Sequence, residues 1–413
     1  MLGVIADDFT GASDIASFLV ENGLSTIQFN GIPSALVGKN TEAIVISLKS
    51  RSNPAEQAVQ QSLDALAYLK EAGCTQFYFK YCSTFDSTEK GNIGPVTDAL
   101  LEALDENFTI ISPALPVNGR TIFHGYLFVG DVLLNESGMQ NHPITPMRDA
   151  NLIRLMDAQA QGKTGLVPYT IVCQGVDAIK VRLAQLAQDN YRYAVVDSLD
   201  NQHLASLAEA ITDFKLVTGG SGLAGLMASH ISQGKKAHDA FEPPKLPSVI
   251  LSGSCSVMSN KQVDYYKKCA PTLALDITRC HNDAHYLSEL CEWVLGNQGQ
   301  ALAPMVYATT APSQLKAIQE KYGAQEASQR IEQTFAQLAQ RLYQQGIQTF
   351  ISAGGETSSI IVQHLGIEGF NIGKQIAPGV PWLKALEKPL YLALKSGNFG
   401  QETFFVDAQE MSA

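Results

Sequence analysis

Nine short apolar runs, spaced along the chain by stretches that read as helices, constrain its fold more than any other feature. They are LGVIA, EAIVISL, QFYFKY, FTIISPA, RYAVVDS, FKLVTGG, SVILSGS, TFISAGG and LYLALKSGN. Their apolar residues are continuous rather than alternating, as in strands buried on both faces. Between them lie segments such as PAEQAVQQSLDALAYLKEAG and ASQRIEQTFAQLAQRLYQQG. Alternating strands and helices predict an α/β fold with mostly parallel sheets flanked by helices. A chain of 413 residues exceeds one ordinary core, so two domains are expected. The boundary falls in SQGKKAHDAFEPPKLPS, residues 232–248, where charge and Pro243, Pro244 and Pro247 oppose regular structure. This gives an N-terminal domain of residues 1–231, a linker of 232–248 and a C-terminal domain of 249–413, with no internal repeat or low-complexity tract.

The net charge of -11 and the lack of any long basic run argue against a nucleic-acid footprint. A site for a phosphate or carboxylate must then be locally basic. No apolar stretch approaches the length that spans a bilayer, and the chain opens on a strand rather than a basic-then-apolar leader. Seven scattered cysteines with no CxxC pair read as reduced thiols of a cytoplasmic protein. The expected partner is a small molecule, with no nucleic acid and no membrane, and a symmetric homodimer is the default assembly.

Ligands of open α/β sheets bind outside the carboxyl ends of the strands. Four N-terminal strands run into polar, glycine-bearing segments. ADDFTGASD carries Asp7, Asp8, Thr10 and Gly11, and VISLKSRSNP carries Lys49 and Arg51. FYFKYCSTFDSTEKGNIGP carries Lys80, Asp86, Thr88, Asn92 and Gly94, and IISPALPVNGRTIFHGYLFV carries Asn118 and Arg120. Arg51, Lys80 and Arg120 suit a carboxylate. Asp8 or Asp86 suits the proton of a hydroxyl. Each segment alone reads equally well as caps, turns and surface ion pairs; the pattern on four strand ends favours a site.

A second set lies beyond the linker. LSGSCSVMSNKQ offers Ser252, Gly253, Ser254 and Ser256; ISAGGETSSIIVQHLG offers Gly354, Gly355, Glu356, Thr357 and Ser358; ALKSGNFGQETFF offers Lys395, Gly397, Asn398 and Gly400. Small residues opening a helix let backbone amides approach phosphate, and the helix dipole favours its charge. Three such loops suggest a nucleotide, with Glu356 placed to help hold magnesium. GFNIGKQ does not fit GxxxxGK[ST], which disfavours a P-loop kinase. GSGLAG at 220–225 fits the dinucleotide spacing but lacks an acid ending a following strand. It reads better as a packing turn or a loop facing the interdomain cleft, which leaves an NAD-dependent dehydrogenase of a small hydroxy acid as the weaker alternative. CHNDAH supplies Cys280, His281 and His285 but no matching ligand set for zinc, and no serine sits in GxSxG.

Taken together, ADDFTGASD, KYCSTFDSTEKGNIG, PALPVNGRTIFHGYLFV, ISAGGETSSIIVQHLGI, APGVPW and LALKSGNFG closely resemble motifs of the four-carbon acid sugar kinase family, in the family's order from Met1 to about Phe405. The resemblance implies an acid-sugar-binding N-terminal domain, a nucleotide-binding C-terminal domain and an active site in the cleft between them. It implies ATP and Mg2+ as cofactors. The reaction it implies phosphorylates the terminal hydroxyl of a four-carbon acid, such as a 3-oxo-tetronate, erythronate or threonate, to the 4-phosphate. By motif, Asp8, Thr10, Arg51, Lys80, Asp86, Asn92 and Arg120 fall in the acid-sugar domain. Ser254, Gly354 to Thr357 and Gly397 fall in the nucleotide loops. SGSCSVMSNKQ departs from relatives that carry a threonine and glutamine further along, which leaves the phosphate-touching serine open among Ser252, Ser254 and Ser256. Asp8 is the first candidate for the base that orients the hydroxyl and Asp86 the second, while Lys80 and Lys395 are candidates to add positive charge.

Overall fold

A computed structural model describes residues 1–35, 41–142, 145–235, 241–283, 285–309 and 323–412. The chain divides into two compact units, Met1–His238 and Asp239–Ala413. Residues 236–240 of the expected 232–248 linker lie outside the described residues. Each of the nine apolar runs contains a strand.

The N-terminal unit contains β1 (Leu2–Ala6), β2 (Thr26–Asn30), β3 (Ala43–Ser47), β4 (Gln76–Lys80), β5 (Thr109–Ser112), β6 (Arg120–Phe123), β7 (Tyr126–Val129), β8 (Val132–Leu133), β9 (Thr164–Val167), β10 (Tyr193–Val196) and β11 (Leu216–Gly219). Strands β6, β7 and β8 form a small antiparallel sheet. The rest pair in parallel in the order β2-β3-β1-β4-β11-β5-β10-β9. Every residue of β1 and β3 is buried, the physical basis of their unbroken apolar runs. Helix Phe9–Glu21 packs against helix Ser221–Ile231, and helix Ala55–Glu71 against helix Ile93–Ala103. After β1 the chain builds β2 and β3 on one side of it and then crosses to β4 on the other. The order therefore reverses at β1 and β4, the kind of switch point where open α/β sheets form a crevice for ligands.

The GSGLAG segment opens the helix Ser221–Ile231. A Cβ on Gly220 would lie 2.7 Å from the Pro113 carbonyl oxygen, one on Gly222 3.1 Å from that of Ala114, and one on Gly225 3.1 Å from Phe18. These glycines are used for close packing of helix on strand loop and helix on helix.

The C-terminal unit contains β12 (Ser248–Ser252), β13 (Thr272–Ala274), β14 (Met305–Tyr307), β15 (Thr349–Ala353), β16 (Gly369–Ala377), β17 (Val380–Ala385) and β18 (Tyr391–Lys395). Their order is β13-β14-β12-β15-β18-β17-β16. The first five are parallel, and β17 runs antiparallel to both β18 and β16. The core gathers Ile250, Ile351, Trp382, Ala393, Tyr266, Phe404 and Phe405. Here too the order reverses, with β14 and β13 on one side of β12 and β15 on the other. GFNIGKQ, already unsuited to a P-loop, lies in β16, where Lys374 donates to Glu242 at 2.6 Å. Among the described residues no helix is long and apolar enough to cross a membrane. The seven cysteines are all free thiols.

Candidate functional site

At the carboxyl end of β1, Asp7 is buried and Asp8 is half-buried. Asp8 caps helix Phe9–Glu21 from an extended backbone (φ -147, ψ 165), and its Oδ1 accepts from the Gly11 N–H at 2.9 Å. The Thr10 hydroxyl donates to its Oδ2 at 2.9 Å. Arg51, past the end of β3, grips Asp7 with Nε at 2.9 Å and Nη2 at 2.8 Å, and the same Nη2 reaches Asp8 at 2.7 Å. Asp86 stands 3.9 Å from Arg51 Nη1 and accepts from the Thr84 hydroxyl at 2.6 Å. Phe85, just before it, is fully buried with φ 49, a left-handed conformation that is costly for a side chain of this size, and its ring meets Tyr81 edge-on.

Lys80 ends β4 and is 2% exposed. Its Nζ donates to the Tyr81 carbonyl at 2.9 Å and stands 3.7 Å from Asp14, which in turn accepts from the Ser221 hydroxyl at 2.8 Å. A Cβ on Gly11 would lie 2.2 Å from Asp8 Oδ1 and 3.3 Å from Lys80 Nζ. Glycine at this position is what allows carboxylate and ammonium to share the turn. Asp14 and Ser221 escaped the sequence reading. The available signal was a lone carboxylate in the otherwise uncharged turns of FTGASDIASFLV, since a charge inside a buried helix needs a partner.

Burial alone would raise the Asp8 carboxyl, but Arg51, Lys80, the Thr10 hydroxyl and the Gly11 amide together hold it below the ordinary range. For Asp7, burial outweighs the pull of Arg51 and leaves it raised. Arg51 loses by burial and gains more from Asp7 and Asp8, so it remains charged. Asp8 is thus an ionised carboxylate held by a fixed cation.

The other expected acceptor residues are placed around this cluster rather than in it. Asn92 donates its amide to the carbonyls of Ser50 at 2.8 Å, Arg51 at 3.2 Å and Asn53 at 3.1 Å, so it tethers the loop that carries Arg51. Gln159, unforeseen from sequence, accepts from the Gly94 N–H and the Ser87 hydroxyl at 2.9 Å and donates to the Thr88 carbonyl at 3.2 Å. A Cβ on Gly94 would lie 2.7 Å from that side chain. Arg120 begins β6, donates through Nη1 to the Asn118 carbonyl, and has a buried Nε with no hydrogen-bond partner. It forms no ion pair with Asp7, Asp8 or Asp86.

In the C-terminal unit the three sequence loops converge. Gly253 and Ser254 donate their N–H groups to the Ala353 carbonyl at 2.9 and 3.1 Å. A Cβ on Gly253 would lie 2.1 Å from Thr357 Oγ1, and one on Gly354 (φ 119) 3.3 Å from Ser254 N. A Cβ on Gly397 would lie 2.5 Å from Ser254 Oγ and 2.9 Å from Ser256 Oγ. The three serines now separate. Ser252 is turned inward, 2.7 Å from the Thr309 hydroxyl. Ser256 caps helix Val257–Tyr266, its Oγ accepting from the Ser259 N–H at 3.2 Å. Ser254 lies between Gly354 and Gly397, its Oγ accepting from the Ser256 N–H at 3.2 Å. Helix Gly355–His364 begins at the same place, with Glu356 exposed in its first turn, Gly355 half-buried and Thr357 buried. Asn398 is exposed beside Gly397.

These loops suit a polyphosphate: glycines leave no room for side chains where three backbones meet, and a helix N-terminus faces the gap they leave. Glu356 suits a hard cation that also takes phosphate oxygens. Among the described residues, no group of three or more His, Cys, Asp or Glu side chains could hold a metal ion by themselves.

Residues 2–227 match the sugar-binding N-terminal domain and residues 249–405 the nucleotide-binding C-terminal domain. A sugar-binding and a nucleotide-binding domain in one chain, with relatives named as kinases, mark it as a kinase. The chain belongs to the four-carbon acid sugar kinase family. It is 65% identical over 411 residues to the 3-oxo-tetronate kinase of Haemophilus influenzae, covering 100% of both chains. It is 66% identical over 411 residues to that of Actinobacillus succinogenes, covering 100% of this chain and 99% of the relative. A solved Haemophilus influenzae structure matches with a TM-score of 0.84 at 64% identity over 100% of both chains. One from Salmonella typhimurium, named there as a candidate tRNA synthase, matches with 0.93 at 54% identity over 100% of this chain and 99% of that one.

Proposed function

We propose that this chain is an ATP-dependent kinase that phosphorylates the C4 hydroxyl of a 3-oxo-tetronate, giving the 4-phosphate and ADP. The observation that carries the nucleotide half is the convergence of Gly253–Ser256, Gly354–Thr357 and Gly397 on one gap. The acceptor is taken from the name of relatives matched over the full chain.

In this reading residues 1–231 hold the acid sugar and 249–413 the nucleotide. Asp8 accepts the hydrogen of the C4 hydroxyl and turns its oxygen toward the γ-phosphorus. A new O–P bond forms as the bond to the β–γ bridging oxygen breaks, and the hydroxyl proton passes to Asp8 and then to water. A carboxylate held below the ordinary range is a weak base, which suffices because phosphoryl transfer depends mostly on positioning and charge neutralisation. Arg51 fixes Asp8, Thr10 and Gly11 shape its turn, and the unpartnered Nε of Arg120 is suited to the substrate carboxylate. Ser254 is the serine we assign to phosphate. Mg2+, held in part by Glu356, neutralises phosphate charge when bound. A net-acidic chain with only free thiols fits a cytoplasmic enzyme.

A coupled ADP-release assay with ATP, Mg2+ and a panel of D- and L-erythronate, D- and L-threonate and their 3-oxo forms tests this. Turnover confined to a 3-oxo acid supports the reading. Turnover confined to erythronate or threonate keeps the kinase and replaces the acceptor. Silence across the panel removes the acceptor assignment.

A further inference from the structure

Lys395 is the one fully buried lysine of the C-terminal unit's phosphate loops, and nothing in the mechanism above uses it. It ends β18 directly before the third loop. Its Nζ donates to the carbonyls of Gly397 at 2.8 Å and Ser396 at 2.9 Å, and to the Ser259 hydroxyl at 3.3 Å. Ser259 itself donates to the Gly397 carbonyl at 2.9 Å, and the Lys395 carbonyl accepts from the Gly354 N–H at 2.9 Å. One residue therefore ties the third loop to the helix after the first loop and to the start of the second.

What this ammonium lacks is a counter-ion. Among the described residues it forms no ion pair. On the elements around it, Lys261 pairs with Glu402 at 3.0 Å, Asp264 with Lys267 at 3.2 Å, and Asp407 accepts from Thr403 at 2.7 Å. Glu356 is exposed on the helix that follows the second loop. The nearest ring is Phe404, with its centroid 5.9 Å from Nζ. Carbonyl dipoles alone are a poor substitute for a carboxylate in a buried place. Resting on the kinase reading of these loops, we propose that Lys395 is the floor cation of the nucleotide site, that the polyphosphate is its missing counter-charge, and that nucleotide binding is accompanied by proton uptake at Lys395.

Burial pushes the free lysine down to about 7, so much of it is neutral in the empty site at pH 8. An arriving polyphosphate favours the charged form, and by linkage its affinity must fall as protons become scarce. The first loop also carries a titratable thiol, Cys255.

Isothermal titration of MgATP without acceptor, at pH 8 in two buffers of different ionisation enthalpy, reads proton uptake directly. Affinity measured from pH 7.5 to 8.5 reads its consequence. Uptake is expected to approach one proton, with affinity falling up to about tenfold per pH unit. Cys255→Ser should keep the uptake, and Lys395→Met should abolish it and flatten the pH dependence. If Lys395→Met does not fold, Ser259→Ala, which removes one partner of the ammonium, should shift the midpoint of the dependence. MgATP binding with no buffer dependence in the unaltered protein, or uptake lost in Cys255→Ser, overturns the proposal while the kinase reading stands. Failure of MgATP to bind at any pH, including pH 6 where Lys395 is charged, takes down both.

Discussion

Asp8 performs two tasks that a single substitution can separate. It caps the helix Phe9–Glu21, and in the proposed mechanism it is the acceptor that Arg51 holds in place. Asparagine caps a helix about as well as aspartate but cannot take a proton. Asp8→Asn keeps the cap but loses the charge paired with Arg51, so it is expected to cost about 1–3 kcal/mol of stability and leave ATP binding intact while turnover falls at least about 100-fold. Asp8→Ala should lose the same turnover and, with the cap gone as well, about 1 kcal/mol more of stability. Denaturant titration beside the ADP-release assay checks both; normal turnover in Asp8→Asn would exclude the assignment. Lys395 gives the second prediction at this scale. Its ordinary value is 10.5, and burial lowers it to about 7 in the folded chain. Between those values the unfolded chain binds more protons than the folded one, so this group's contribution to stability rises with pH from about 7 to about 10.5. The nucleotide-free protein should show that slope in urea titrations, and Lys395→Met should lose it.

At the scale of elements, both candidate sites lie where strand order reverses, β1 against β4 and β12 against β15. A switch point splays the loops that follow neighbouring strands to opposite sides and leaves a crevice between them. In the C-terminal unit that crevice is narrow enough for glycine to be obligatory. Gly397→Ala would bring a Cβ to 2.5 Å from Ser254 Oγ, so the first and third loops must part. The expected result is a KM for ATP raised about tenfold or more, with the KM for the acceptor little changed. An unchanged KM for ATP would mean that these loops do not hold phosphate. Asn92 shows the opposite case. Its position in KGNIG suggested a substrate contact, but its amide is spent on three carbonyls of the Arg51 loop.

For the whole molecule, the question is which nucleotide stabilises the fold. The GSGLAG spacing left a nicotinamide cofactor open, and the structure uses those glycines for packing. ATP with Mg2+ should raise the melting temperature, by about 2.7 kcal/mol of added stability at a concentration 100 times its Kd. NAD should leave it unchanged. Protection by NAD and not by ATP would reverse the functional reading of the C-terminal unit.

The apolar runs determined the nine principal strands, because a strand buried on both faces has no choice but an unbroken apolar sequence. They also located the polar strand ends that carry Asp8, Arg51, Lys80, Gly354 and Gly397. The remaining strands were not legible. β16 and β17 pair antiparallel, and GFNIGKQIA interrupts its apolar pattern with glycine, lysine and glutamine. Nor does spacing reveal which polar residues meet. Asp14 finds Ser221 across 207 positions, and Gln159 finds Gly94 across 65. Sequence separation carries no information about such contacts; strand order brings those segments together. The same means separates the three serines of the first loop. Ser252, Ser254 and Ser256 are alike in sequence, but strand β12 turns the first into the core, the following helix takes the third as its cap, and only Ser254 is left between the two glycine loops.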